Sequence, residues 1–520
     1  MDRQRMLDRI MVATGPWDMV VIGGGATGAG IAVDGASRGY SVVLMEQSDF
    51  GQGTSSRSTK LVHGGVRYLQ QGDIALVIEA LRERGIMRCN APHLVFDAPF
   101  VVPNYHWWEA PFYGTGLKLY DLLAGRYGFG RSRLLTRREL LRRIPTLEPA
   151  GLRGGVLYHD GQFDDARLLI NLIQTAIEQG ACAVNYCRVE AVAHDEAGRA
   201  CGVEAIDTES GRQLTVRARC VINATGAFGD AVRRMDQPDA PDLIAPSQGL
   251  HVVLDRSFLP GDTAIMVPRT RDGRVMFAIP WQGHTLVGTT DNPIDEAVLE
   301  PAPLEGEIDY ILQTAAPYLS RDPAPADILS VFAGIRPLVK AGDAGATAAL
   351  SRDHTIHVSP SGMLSIAGGK WTTYRRMAQD CIDHAATIAA LPTRPCITRS
   401  LPIHGYLPDG DRGDELSGYG ADAALLRRLM QQRPELAHRL HPDLPVRAAQ
   451  VVWAARREMA RTVEDVLSRR TRALPLNARA AAQMAPAAAS LLAEELGHDE
   501  TWQHRQVSVF QALARRYLPQ

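Results

Sequence analysis

The sequence predicts an α/β fold: a Rossmann-like domain of the two-dinucleotide-binding type, an inserted antiparallel β-sheet domain, and a C-terminal helical domain. Three observations predict it. An apolar strand from Trp17 runs into Gly23-x-Gly25-x-x-Gly28, and a second strand, Ser41-Val-Val-Leu-Met-Glu46, ends on an acid 18 residues after Gly28. The first glycine lets the chain turn, the second admits a pyrophosphate, and the third lets the following helix pack close with its N-terminus on the phosphates. Glu46 is placed to accept ribose hydroxyls. The second observation is a later apolar strand ending in Asn223-Ala-Thr-Gly226, and the third is a run of alternating β-rich segments between about 245 and 349.

With 520 residues the chain exceeds one core and predicts two or three domains. Lys and Arg number 56 against 58 Asp and Glu, so a net charge of −2 gives no global attraction to nucleic acid. The seven cysteines are scattered, never in Cys-x-x-Cys spacing, and read as reduced thiols. Acids and arginines interrupt the apolar stretch before Trp17, and no window approaches 18 uninterrupted apolar residues. The expectation is a cytoplasmic protein without a secretory signal or transmembrane helix. No metal site is expected.

Along the chain, the expected dinucleotide-binding domain is discontinuous, taking residues 17–90, 151–245 and 350–390. Residues 91–150 and 246–349 form a substrate or cap domain, and 398–520 a helical domain rich in Ala, Leu and Arg. Residues 73 to 88 read as a helix. A second helix follows Asp164, whose side chain suits an N-cap better than an acid catalyst. The strand, glycine turn and helix around 363–377 return to the nucleotide fold.

Seven blocks occur in order between residues 17 and 377: Ile22 to Gly30, Thr54 to Leu69, Asp164 to Arg167, Asn223 to Gly226, Gly288 to Asp291, Gly334 to Leu338 and Gly368 to Arg375. Together they resemble the FAD-dependent glycerol-3-phosphate dehydrogenases of aerobic respiration. The resemblance implies that FAD takes a hydride from C2 of sn-glycerol 3-phosphate, yielding dihydroxyacetone phosphate, and passes electrons to a membrane quinone. It implies cofactor contacts from Gly23, Gly25, Ala26, Thr27, Gly28, Glu46, Thr54, Ser55, Ser56, Thr59, Lys60, His63, Gly64, Gly65, Val189, Ala224, Thr225, Gly226, Gly334, Arg336, Gly368, Gly369, Lys370 and Thr372. A glycerol-3-phosphate oxidase using O2, or an inactive flavin-binding sensor or scaffold, are the alternatives.

A phosphate dianion wants guanidinium or ammonium partners, which Arg336, Lys370 and Arg67 can supply, with Tyr68 and Thr373 beside them. Loss of the C2 hydroxyl proton needs a base, and His63 and His251 are the titratable candidates. Arg336 or Lys370 could instead stabilise a developing alkoxide. A possible homodimer completes the expected partners.

Residues 105 to 120 are dense in aromatics, and arginines follow at 126, 131, 133, 137, 138, 142 and 143. Aromatics beside a cationic run suit either a core cluster with a solvated helix face or a peripheral contact with anionic lipid on the cytoplasmic face of the membrane. The resemblance favours the second.

Overall fold

The computed structural model of the chain describes residues 1–65, 69, 73–268, 270, 273–340, 354–411 and 413–519. Two large sheets organise them. In the first, the strands run in the order His354–Val358, Leu364–Gly368, Gln213–Asn223, Trp17–Ile22, Val42–Met45, Cys182–Val184, and the last five are mutually parallel. Trp17–Ile22 is central and both of its neighbours are apolar, so Met19, Val20 and Val21 are fully buried, as a strand covered on both faces requires. Helix Ala26–Ser37 covers one face, and helix Tyr374–Ile388 packs against it. Gly30 has to be small there, because a Cβ would sit 2.8 Å from the Tyr374 ring.

The second sheet is mostly antiparallel, in the order Asn292–Pro293, Ile244–Asp255, His284–Gly288, Met276–Trp281, Ala264–Val267, Val95–Asn104, Gly154–Phe163, Leu61–Val62. Ile328–Val339 pairs along nearly the whole of Ile244–Asp255. The strand Gly154–Phe163 lies in this sheet, pairing residue for residue with Val95–Asn104, although the sequence reading grouped 151–245 with the nucleotide-binding unit. Its near-continuous burial leaves no alternation to mark which sheet it joins.

Helix Ile74–Asn90 starts on Asp73, and helix Asp165–Glu178 starts on Asp164, each acid accepting an amide of the first turn. The segment before Trp17 is a packing helix, Arg3–Met11, with Met6, Leu7 and Ile10 buried and Arg3 paired to Asp207 at 2.5 Å. The C-terminal helices, chiefly Ala448–Glu458, Ala478–Leu496 and Glu500–Arg516, share one apolar core with a face of the second sheet. Among the described residues no helix is long and apolar enough to cross a membrane.

Candidate active site

Two cavities meet between the sheets. The first follows the ends of the parallel strands and is lined by Gly23, Gly25, Ala26, Thr27, Glu46, Thr54, Ser55, Val189 and Ala224 to Gly226. Gly23 and Gly28 are each packed against backbone at the turn. A Cβ on Gly28 would lie 1.9 Å from the Gly23 carbonyl oxygen, and one on Gly23, whose φ is +109°, would lie 2.7 Å from the Ala224 carbonyl oxygen. Helix Ala26–Ser37 has Gly25 as its N-cap, and its Ala26 amide donates to Ser55 Oγ at 2.9 Å. Gly25, Ala26 and Thr27 line the cavity, so the partial positive charge of this N-terminus borders it.

At the strand end, Glu46 accepts the amides of Gly24 at 2.6 Å and Ser48 at 3.0 Å. These occupy two of roughly four acceptor positions on a carboxylate. Burial pushes this carboxyl up, and the two amides oppose that. Anion-seeking amides near the turn and a fixed acid a strand away suit the pyrophosphate and ribose of FAD.

The second cavity, of about 330 Å³, lies against the antiparallel sheet. Thr54, Pro337, Gly368, Gly369, Lys370 and Trp371 border both cavities. Gly368 and Gly369 take φ of +75° and +74°, left-handed values that turn the chain at this junction. Trp371 donates its indole N–H to the Ser55 carbonyl at 2.9 Å, tying this turn to the hydroxyl-rich loop.

The strand pair Ile244–Asp255 and Ile328–Val339 supplies the charged wall. Arg336 donates to Asp291 Oδ1, Thr289 Oγ1 and the Thr290 carbonyl, each at 3.1 Å, which fixes its guanidinium. Arg274 also pairs with Asp291, at 3.4 Å. Arg336 lies across Gly249, where a Cβ would come within 2.5 Å of it. Two residues on, His251 is buried, stacked on Phe332 at 5.0 Å, and shares a 2.9 Å hydrogen bond between Nε2 and Thr59 Oγ1. Burial first, then the charges of Lys60 and Arg336, hold His251 well below the ordinary imidazole range. It is a neutral ring at pH 7.

His63 also lines this cavity, with its ring edge on Phe277, as do Thr59, Gly65, Gly334 and Thr372. Several expected residues border neither cavity. Lys60 is turned inward onto Asp165 at 2.7 Å. Ser56 presents its carbonyl to Lys60 and Arg472. Gly64 is packed beneath Tyr120, to whose hydroxyl its amide donates. Thr373 bonds back to the Lys370 carbonyl, and Gly28 serves the turn itself. Arg67 and Tyr68 lie outside the described residues.

Sequence reasoning did not single out Arg57, Asp160, Arg274 or Asp291, all of which border the second cavity. Asp291 closes the Gly288 to Asp291 block and was legible there. Arg57 is held by Glu300, and Asp160 by Arg84 at 2.5 Å, pairings across 243 and 76 residues that leave no local trace.

A parallel sheet with this turn chemistry, opening into an antiparallel substrate chamber, defines an FAD-dependent oxidoreductase. The model of the family described as FAD dependent oxidoreductase matches residues 18–375, and that described as C-terminal domain of alpha-glycerophosphate oxidase matches 363–503. The chain is 39% identical to a probable mitochondrial glycerol-3-phosphate dehydrogenase of Caenorhabditis elegans, over 94% of this chain and 72% of that protein. It is 38% identical to mitochondrial glycerol-3-phosphate dehydrogenase of Homo sapiens, over 97% of this chain and 73% of that protein. The solved structure of the glycerol-3-phosphate dehydrogenase from Bacillus halodurans, complexed with FAD, superposes with a TM-score of 0.79 at 30% identity, covering 99% and 98% of the two chains. The chain belongs to the glycerol-3-phosphate dehydrogenase family.

Proposed function

We propose that this protein oxidises sn-glycerol 3-phosphate at C2 to dihydroxyacetone phosphate and delivers the electrons to a membrane quinone. The observation that carries the reading is the junction of the two cavities. Lys370 stands on the wall common to both, and Arg336 and Arg274 stand in the second, so a phosphate held there keeps its carbon chain beside the cofactor cavity. FAD, when bound, supplies a two-electron acceptor for the C2 hydride.

The chain's own residues do the rest. Arg336, presented by Asp291 and Thr289, engages the phosphate with its fork of donors, and Lys370 adds a point charge. Neutral His251 takes the C2 hydroxyl proton as the C–H bond breaks. Phe100, Tyr158, Met266 and Phe277 line the chamber with apolar surface that keeps water from the reacting carbon.

The quinone reading draws support from the surface. Helix Glu109–Ala124 buries Tyr113, Leu117 and Tyr120 but exposes Phe112, Leu119 and Leu122, spaced seven and three apart on one helical face. Trp107 at 77% exposure precedes it, and exposed arginines 126, 131, 133, 137, 138 and 142 follow it in the chain. Such a patch fits a peripheral seat on anionic lipid, where a quinone is met.

In a dye-coupled assay, Arg336→Ala should lower kcat/KM about 100-fold, since two charge-assisted hydrogen bonds to phosphate contribute about 1.5 kcal/mol or more each. Wild-type kcat/KM in that variant would overturn the assignment of the phosphate site. Oxygen uptake equal to the quinone-analogue rate would reassign the acceptor.

A further inference from the structure

Asp165 is fully buried, and it is not the helix cap, because Asp164 fills that role. Its carboxylate instead gathers partners from two distant segments. The Ser58 amide and hydroxyl donate to Oδ2 at 3.0 and 2.7 Å, Lys60 Nζ at 2.7 Å, and Arg472 of the C-terminal helical region reaches Oδ1 at 3.1 Å. Arg472 also donates to the Ser56 carbonyl at 2.8 Å. The turn 56–60 is thereby held at three of its five residues.

Lys60 needs that restraint, since its φ of +64° is a left-handed value that a side chain with a Cβ disfavours. The residue between the two clamped positions is Thr59, whose Oγ1 bonds His251 Nε2 at 2.9 Å. Lys60 Nζ lies 5.1 Å from the Phe332 ring on which His251 stacks, so turn and imidazole share one wall. His251 Nδ1 has no hydrogen-bond partner among the described residues, so Thr59 supplies the hydrogen bond that, beside the stacking on Phe332, sets the ring's rotation.

We propose that Asp165 is a positioning residue for the proton transfer: by clamping Ser58 and Lys60 it sets Thr59, and Thr59 orients His251 toward the bound alcohol. The role rests on the reading of His251 as proton acceptor given above. A ring that must find its orientation in each turnover loses rate rather than substrate affinity.

The test is anaerobic stopped-flow reduction of the FAD-loaded protein by sn-glycerol 3-phosphate, in the wild type and in Thr59→Val, Thr59→Ser and Asp165→Asn. Thr59→Val should keep its flavin spectrum, lose tenfold or more in limiting reduction rate, and change the half-saturating substrate concentration less than threefold. Thr59→Ser should return to within threefold of wild type, and Asp165→Asn should slow like Thr59→Val. If Asp165→Asn does not fold, the Val and Ser pair decides. Wild-type rates in Thr59→Val, or a serine variant as slow as the valine one, overturn the proposal while the substrate assignment stands. Failure of the wild type itself to be reduced overturns the assignment beneath it.

Discussion

Replacing Gly28 by alanine tests how tightly the first turn is built. The added Cβ would lie 1.9 Å from the Gly23 carbonyl oxygen, where ordinary contact begins at 3.4 Å, so one group must retreat about 1.5 Å. Neither can retreat cheaply. Gly23 is hemmed from the other side by the Ala224 carbonyl, 2.7 Å from its own Cβ position, and helix Ala26–Ser37 is pinned by the close packing of Gly30 on Tyr374. Overpacking of this kind costs about 3 kcal/mol, the upper end of the usual range, or about 100-fold in cofactor affinity if the strain falls on the loaded turn. The assay is the flavin absorbance per chain of purified Gly28→Ala, followed by titration of FAD into the stripped protein. Full loading with unchanged affinity would refute the claim that this turn needs glycine for close approach.

Three further outcomes follow from the geometry. Gly249→Ala should push the Arg336 guanidinium off its 2.5 Å approach and raise KM about tenfold while flavin content holds, measured by dye-coupled kinetics. His404, held between Asp422 at 2.8 Å and Glu178, is raised to about 9: burial opposes the shift, and the two carboxylates outweigh burial. Because its folded value lies above the unfolded one, its contribution is complete below about pH 6.5 and disappears as pH rises through 9. His404→Gln should therefore flatten the fall in Tm over that window. Paired Trp107→Ser and Leu122→Ser changes should weaken sedimentation with anionic liposomes severalfold and leave dye-linked activity intact, whereas unchanged sedimentation would remove the patch from the account.

The legible parts of this fold are those with a local cause. The glycine turn, the N-cap Asp164 and the Gly368-Gly369 turn each carry their reason within a few residues, and the structure puts Asp164 at the start of its helix, Glu46 on the cavity wall and both glycines at left-handed φ. The C-terminal region held no motif assignable to chemistry, yet Arg469 and Arg470 on its π-helical segment Asp465–Arg470 converge on buried Asp49, and Arg472 on Asp165. Burial alone would raise the Asp49 carboxyl, but Arg470 and Arg469 hold it low. These partners are separated by more than 300 residues, so no window could join them. The cavity wall at Arg57 was hidden for a similar reason. Glu300, which holds it, is itself held by the hydroxyl of Tyr517 at 2.8 Å, near the other end of the chain.

The central claim is that this chamber brings glycerol 3-phosphate to FAD. The most direct measurement is the anaerobic absorbance spectrum of the purified yellow protein before and after addition of sn-glycerol 3-phosphate. The account predicts loss of the oxidised-flavin band within seconds, with dihydroxyacetone phosphate formed one per flavin. A band that persists with substrate but bleaches with dithionite would contradict it.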